Sequence, residues 1–109
     1  MRRTLLLIFH FVLCGELGAD DFKVEDVIHP VVLKLGKPKV IAALGEGHMA
    51  ISSSSEIAAS HVAQGLGRMN ASWDFEAYRH FCEAVKADPD CLMAYWGIAM
   101  SLAGSQHEF

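Results

Sequence analysis

Between residues 53 and 104 the apolar side chains return at every third or fourth position in three successive runs, separated by two short polar breaks. A turn of α-helix takes about 3.6 residues, so this spacing lays an apolar stripe along one face of each of three helices. The breaks are Asn70-Ala71-Ser72 and Asp88-Pro89-Asp90. Connections this short force consecutive helices to fold back on one another. Ala58, Val62, Gly65, Leu66 and Met69 make the first stripe. Ala77, Phe81 and Ala84, flanked by Tyr78 and Val85, make the second. Leu92, Tyr95, Trp96, Ile98, Ala99 and Leu102 make the third. The expected fold is all-α, a set of antiparallel helix hairpins over residues 53–104.

Terminus signals sharpen the reading. Ser53 with Glu56 three residues later fits a capping box, the hydroxyl taking an orphan amide and the carboxylate reaching back. Ser72 or Asp74 is the expected cap of the second helix. Lys86 falls in that helix's last turn, where a cation suits the dipole. Gly104 is the expected end of the third.

Upstream, the pattern changes. In residues 20–52 Pro30, Gly36, Pro38, Gly45 and Gly47 interrupt any helix, while 31–35 and 39–44 are β-compatible runs. Gly36-Lys37-Pro38 could join those runs as a hairpin, although an isolated hairpin is marginal. An irregular leader lying on the later helices fits equally well. Residues 1–19 have the composition of a secretory signal peptide: Met1-Arg2-Arg3, an apolar stretch at 4–13 broken only by His10, then small residues up to Ala19. This predicts an exported protein, periplasmic or secreted, cut near Ala19. No apolar run reaches 18 residues, so no membrane-spanning helix is expected. Residues 105–109 form a short tail.

Composition removes several function classes. A chain of 109 residues holds one small domain, not a multidomain enzyme with its own deep cleft. Its net charge of −4 lacks the basic stripe with which a nucleic-acid binder neutralises phosphates. Catalytic motifs such as GxSxG, HExxH and CxxC do not occur. Gly45-Glu46-Gly47 and Gly65-Leu66-Gly67 lack the strand and helix that would make a phosphate loop. Of His29, His48, His61, His80 and His107, no two stand three or four residues apart, so no single helix face presents a metal-ligand pair. His80, just before Phe81, is expected at the solvent-facing margin of its helix. No catalytic, cofactor or metal site is expected, and the chain is not expected to be an enzyme.

Cys82 and Cys91 flank the second break. In an oxidising compartment they could bridge it, closing a short loop worth about 2–3 kcal/mol. The other reading leaves both as thiols, Cys82 exposed on the second helix and Cys91 buried at the start of the third.

The spacing of small, aromatic and proline residues resembles the tetratricopeptide repeat, a 34-residue helix pair. With Ala58 at its first position, Gly65, Ala77, Phe81, Ala84 and Pro89 all fall on the pattern, and a second unit starting at Leu92 places Tyr95, Ile98 and Ala99. The resemblance implies that Gly65 lets two helices approach, Ala77 sits at their crossing, Phe81 fills the groove and Pro89 sets the next turn. His61, Gln64 and Arg68 depart from it, standing where Trp, Leu and Tyr are usual. More narrowly, Gln64-Gly65-Leu66, Glu76-Ala77 with Phe81 and Ala84, and the DPDCLMAYWGIA run at 88–99 resemble a group of bacterial secreted repeat proteins.

What the resemblance implies is about one and a half repeats, acting as an exported scaffold for protein–protein interaction. Partner peptides would lie on a concave surface formed by Val62, Leu66, Met69, Met93, Trp96 and Met100. The carboxylate-gripping Lys, Arg and Asn of chaperone-type repeats are missing from these positions, leaving an apolar, methionine-rich and therefore adaptable groove. Packing of the same side chains against the leader or against further helices is the alternative. A stack this short does not cover its own faces, which points to a longer parent protein or to self-association. The rival functional expectation is the scaffold portion of a larger enzyme or metal-dependent protein whose working residues lie downstream.

Overall fold

A computed structural model describes residues 23–44 and 49–104 of the chain. The expected signal peptide at 1–19, Gly45-Glu46-Gly47, His48 and the tail at 105–109 lie outside the described residues.

The fold is all-helical, with no strand among the described residues. A 3₁₀ turn at Val24–Val27 leads into the short helix α1 (Pro30–Lys34), and a second 3₁₀ turn occupies Ala42–Leu44. Three longer helices follow: α2 (Glu56–Asn70), α3 (Asp74–Ala87) and α4 (Leu92–Gly104). The hairpin considered for the leader does not form. Pro30 occupies the first turn of α1, where its missing N–H costs nothing, and His29 accepts a hydrogen bond at Nδ1 from the Val31 amide. This start turns the β-branched run that follows into a helix. The leader is therefore the irregular alternative.

Two caps also differ from expectation. Ser55, not Ser53, caps α2, its hydroxyl accepting from the Ala58 amide at 3.2 Å. Ser53 instead accepts from the Ser55 amide and donates to Asp88 across the fold. At the other end of α2, Ser72 adopts a left-handed conformation, φ 59°. Its amide bonds the Met69 carbonyl and the Trp73 amide bonds the Arg68 carbonyl, the paired closure of a Schellman turn. Trp73 then precedes α3 with no side-chain cap, and Asp74 and Glu76 supply first-turn negative charge instead.

The Asp88-Pro89-Asp90 break is stitched by side chains. Asp88 accepts from the Asp90 amide at 3.0 Å and from Ser53, and these donors hold its carboxyl below the usual carboxylate range. Tyr95 donates its hydroxyl to the Pro89 carbonyl at 2.7 Å.

Helix α3 is the centre of the domain, packed against α2 on one side and α4 on the other, while α2 and α4 touch only lightly. Ala77, Phe81, Ala84 and Val85 of α3 are fully buried with Ala58 and Val62 of α2 and Ala94 of α4, and Ile28 and Val32 of the leader complete the core. Phe81 fixes the spacing. A Cβ at Gly65 of α2 would lie 2.6 Å from Cζ of its ring, and one at Gly97 of α4 would also fall inside the ring's contact envelope. The ring thus sits between two helix backbones, where only glycine leaves room.

Candidate functional site

Two surfaces are candidates. One is built on α2 and α3 and already has an occupant; the other lies open on α4.

The occupied one begins with three residues of α2. His61, Gln64 and Arg68 are spaced to share one helix face, and all three are buried. Gln64 reads the leader backbone with both ends of its amide: Nε2 donates to the Ile41 carbonyl at 2.7 Å, and Oε1 accepts from the Ile41 amide at 2.9 Å. Arg68 Nη2 donates to the Lys39 carbonyl at 2.9 Å, and Nη1 donates to Gln64 Oε1 at 2.8 Å. From α3, Arg79 Nη2 donates to the Gly36 carbonyl while Nη1 pairs with Glu76 at 2.7 Å. Residues 36–41, which contain no helix or strand, are thus held by the main chain. Of their side chains only Pro38 is buried.

Behind the leader the imidazoles of His61 and His80 meet, Nδ1 to Nδ1 at 2.9 Å with ring centroids 5.1 Å apart. At that distance one nitrogen donates and the other accepts, so at least one ring must be neutral, and two neutral rings meet the contact with complementary tautomers. Burial keeps them so. It lowers the His61 pKa, with Glu83 opposing and Lys37 and Arg68 reinforcing. It pushes His80 down to about 3, reinforced by Arg68, His61 and Arg79 and opposed by the Lys39 carbonyl. His80 is fully buried, which corrects its expected place at the solvent margin. The pair was invisible to spacing along one helix because its members come from two.

The open surface is α4. Leu92 is 80% exposed, and Trp96, Ala99, Met100 and Leu102 also face solvent. At the 34-residue offset that the resemblance implies, Ala58, Val62 and Gly65 stand opposite Leu92, Trp96 and Ala99 in sequence. In α2 those residues are buried, and Phe81 of α3 seats directly on Gly65. Among the described residues nothing plays the part of α3 for α4.

Of the six residues expected to form a groove, Val62 is fully buried and presents nothing to a partner. Leu66, Met69 and Met93 are partly buried against the core; only Trp96 and Met100 are exposed. Of the signature positions, Gly65, Ala77, Phe81 and Ala84 are buried, whereas Pro89 and Ala99 are exposed and Tyr95 lies half-buried.

Cys82 and Cys91 are unbonded thiols, both buried, so the bridge is absent and Cys82 is not exposed as the thiol reading had it. Helix α3 is packed on more than one face, so a one-face reading left Cys82 to solvent wrongly. Burial raises the Cys82 thiol to about 11 despite a contact with the Tyr78 hydroxyl. Among the described residues no group of three or more His, Cys, Asp or Glu side chains could hold a metal ion. No helix among them is long and apolar enough to cross a membrane. A scan against protein-family models, a search of curated proteins and a search of solved structures found no match to the chain.

Proposed function

We propose that this chain is an exported helical-repeat scaffold whose α4 accepts an amphipathic helix from a partner protein. The observation that carries the reading is the register between α2 and α4. Ala58, Val62 and Gly65 bury themselves under α3, and Leu92, Trp96 and Ala99 repeat those positions with nothing among the described residues over them. A helix apolar around its whole circumference belongs in a core, and α4 is such a helix. The occupant is therefore a helix of the α3 kind, whose aromatic packs beside the Ala99 methyl, further from the backbone than Phe81 sits over Gly65. Exposed Trp96 and Met100 suit that role, one as a rigid anchor and the other as a flexible filler. Export rests on the composition of residues 1–19.

The test uses a synthetic peptide of residues 74–87, which carries no tryptophan of its own, titrated into the full chain while tryptophan emission is followed. Saturable binding with a blue shift is expected. It should be lost with the peptide's Phe81→Ala form and with the protein variant Ala99→Glu, whose helicity should match the parent. Absence of saturation, or equal binding by the Ala99→Glu protein, would overturn the reading.

A further inference from the structure

Gln64, Arg68 and Arg79 hold residues 36–41 through four main-chain groups, the carbonyls of Gly36, Lys39 and Ile41 and the amide of Ile41. Recognition of this kind does not depend on the side chains of what is bound, except at the one buried residue, Pro38. The clamp itself is built in. Gln64 and Arg68 are each 2% exposed, and Arg68 Nε is buried without an acceptor. Among the described residues, the buried guanidinium of Arg68 bonds only neutral carbonyl oxygens, those of Gln64 and Lys39. A buried cation satisfied in this way leaves its charge uncompensated.

The resident segment worsens that imbalance. It brings Lys37 and Lys39 to a site already holding Arg68 and Arg79, and the nearby carboxylates Glu76 and Glu83 are committed to Arg79 and Lys86. The main chain fits, but the side-chain charges are of the wrong sign.

We infer that the α2–α3 face bounded by Gln64, Arg68 and Arg79 is a binding site for a non-helical, proline-containing acidic peptide, and that residues 36–41 are a displaceable stand-in for it. Such a peptide keeps the four main-chain bonds and the buried proline. It also carries acidic residues on either side of the buried proline, where the leader carries Lys37 and Lys39. Tethering gives the leader an effective concentration in the millimolar range, so the stand-in competes by proximity and not by complementarity. This site is separate from the α4 face, and neither proposal depends on the other.

The probe is an acetylated, amidated peptide of residues 35–42 carrying Lys37→Glu and Lys39→Glu, with a fluorescent label read by anisotropy. Controls are the unchanged lysine peptide and an acidic peptide N-methylated at Ile41, which cannot donate to Gln64. The proteins are the full chain and its Ile41→Pro variant, in which the leader loses the same amide while α2 and α3 are untouched. The acidic peptide should bind Ile41→Pro at least tenfold more tightly than the parent chain. It should outbind the lysine peptide several-fold at low salt, and N-methylation should weaken it at least tenfold. Equal affinity of the methylated and unmethylated peptides, equal affinity of the lysine and acidic peptides, or no binding to Ile41→Pro would overturn the inference.

Discussion

His61 and His80, from neighbouring helices, place their Nδ1 atoms 2.9 Å apart in the interior of the α2–α3 hairpin. A doubly protonated pair cannot make that contact, and burial holds both pKa values down in the folded chain, His80 to about 3. In the unfolded chain each histidine titrates near 6.5. Between the two values the unfolded state binds more protons, so the pair's contribution is whole above pH 6.5 and is lost as pH falls through that window. Thermal melts from pH 7.5 to 5, where carboxylates stay ionised, should show Tm falling on acidification by several degrees per pH unit. His80→Gln should flatten the slope. A melting temperature independent of pH over this range would contradict the neutral pair.

Phe81 offers a second test, because it is trapped between glycines. Ala is normally better than Gly inside a helix by about 1 kcal/mol. At Gly65 and Gly97 the added methyl meets a fully buried ring with nowhere to go, and overpacking of this kind costs about 1–3 kcal/mol. Gly65→Ala and Gly97→Ala should therefore both destabilise in urea melts. Phe81→Leu should rescue part of the loss at either position, giving a non-zero coupling in a double-mutant cycle. Phe81→Ala alone should cost about 3–5 kcal/mol.

The three helices were legible because each shows its period over a dozen or more residues, and the resemblance gave Gly65 a close helix approach and Phe81 a groove to fill without pairing the two or pointing to Gly97. What the chain hid has one physical origin. Helix α3 is covered by α2, α4 and the leader together, so His80 and Cys82, off the obvious stripe, are buried too. A single helix's pattern cannot show how many neighbours it will have. The Gln64–Ile41 contact was hidden for a different reason. Its leader half is main chain, which every residue shares, and no side chain at position 41 encodes it.

Ser72 is the one non-glycine residue among those described with positive φ, and it closes α2 at a position where glycine is usual. The left-handed conformation costs an L-residue roughly 1–2 kcal/mol, part of which glycine returns as unfolded-chain entropy. Ser72→Gly should stabilise the domain by about 0.5–1 kcal/mol, read as an upward shift of the urea midpoint with unchanged slope. Destabilisation would mean that the Ser72 side chain matters more than its backbone.

Buried thiols should also behave as such. At pH 8 a group titrating near 11 is thiolate about one part in a thousand, and Cys82 is fully buried as well. Peptide mapping after a short iodoacetamide pulse should find Cys82 and Cys91 unmodified in the native protein and fully modified in guanidinium. Rapid native labelling of Cys82 would place it outside the core.

Tyr78 ties the leader to α3. Its hydroxyl donates to the Val27 carbonyl at 3.1 Å and accepts from the His29 amide at 2.7 Å, with burial raising the phenol to about 12. The same ring borders a cleft of about 290 Å³ between the leader turn and α4, shared with Asp26, His29 and Leu102. Tyr78→Phe keeps the buried ring but strands two backbone groups of the leader, at a cost of about 1–3 kcal/mol. Because the helices retain their own packing, the loss should be local. Hydrogen exchange should quicken at the His29 amide and around α1 far more than in the middle of α3. Uniform acceleration across all helices would show that the leader and the hairpin stack unfold as one unit.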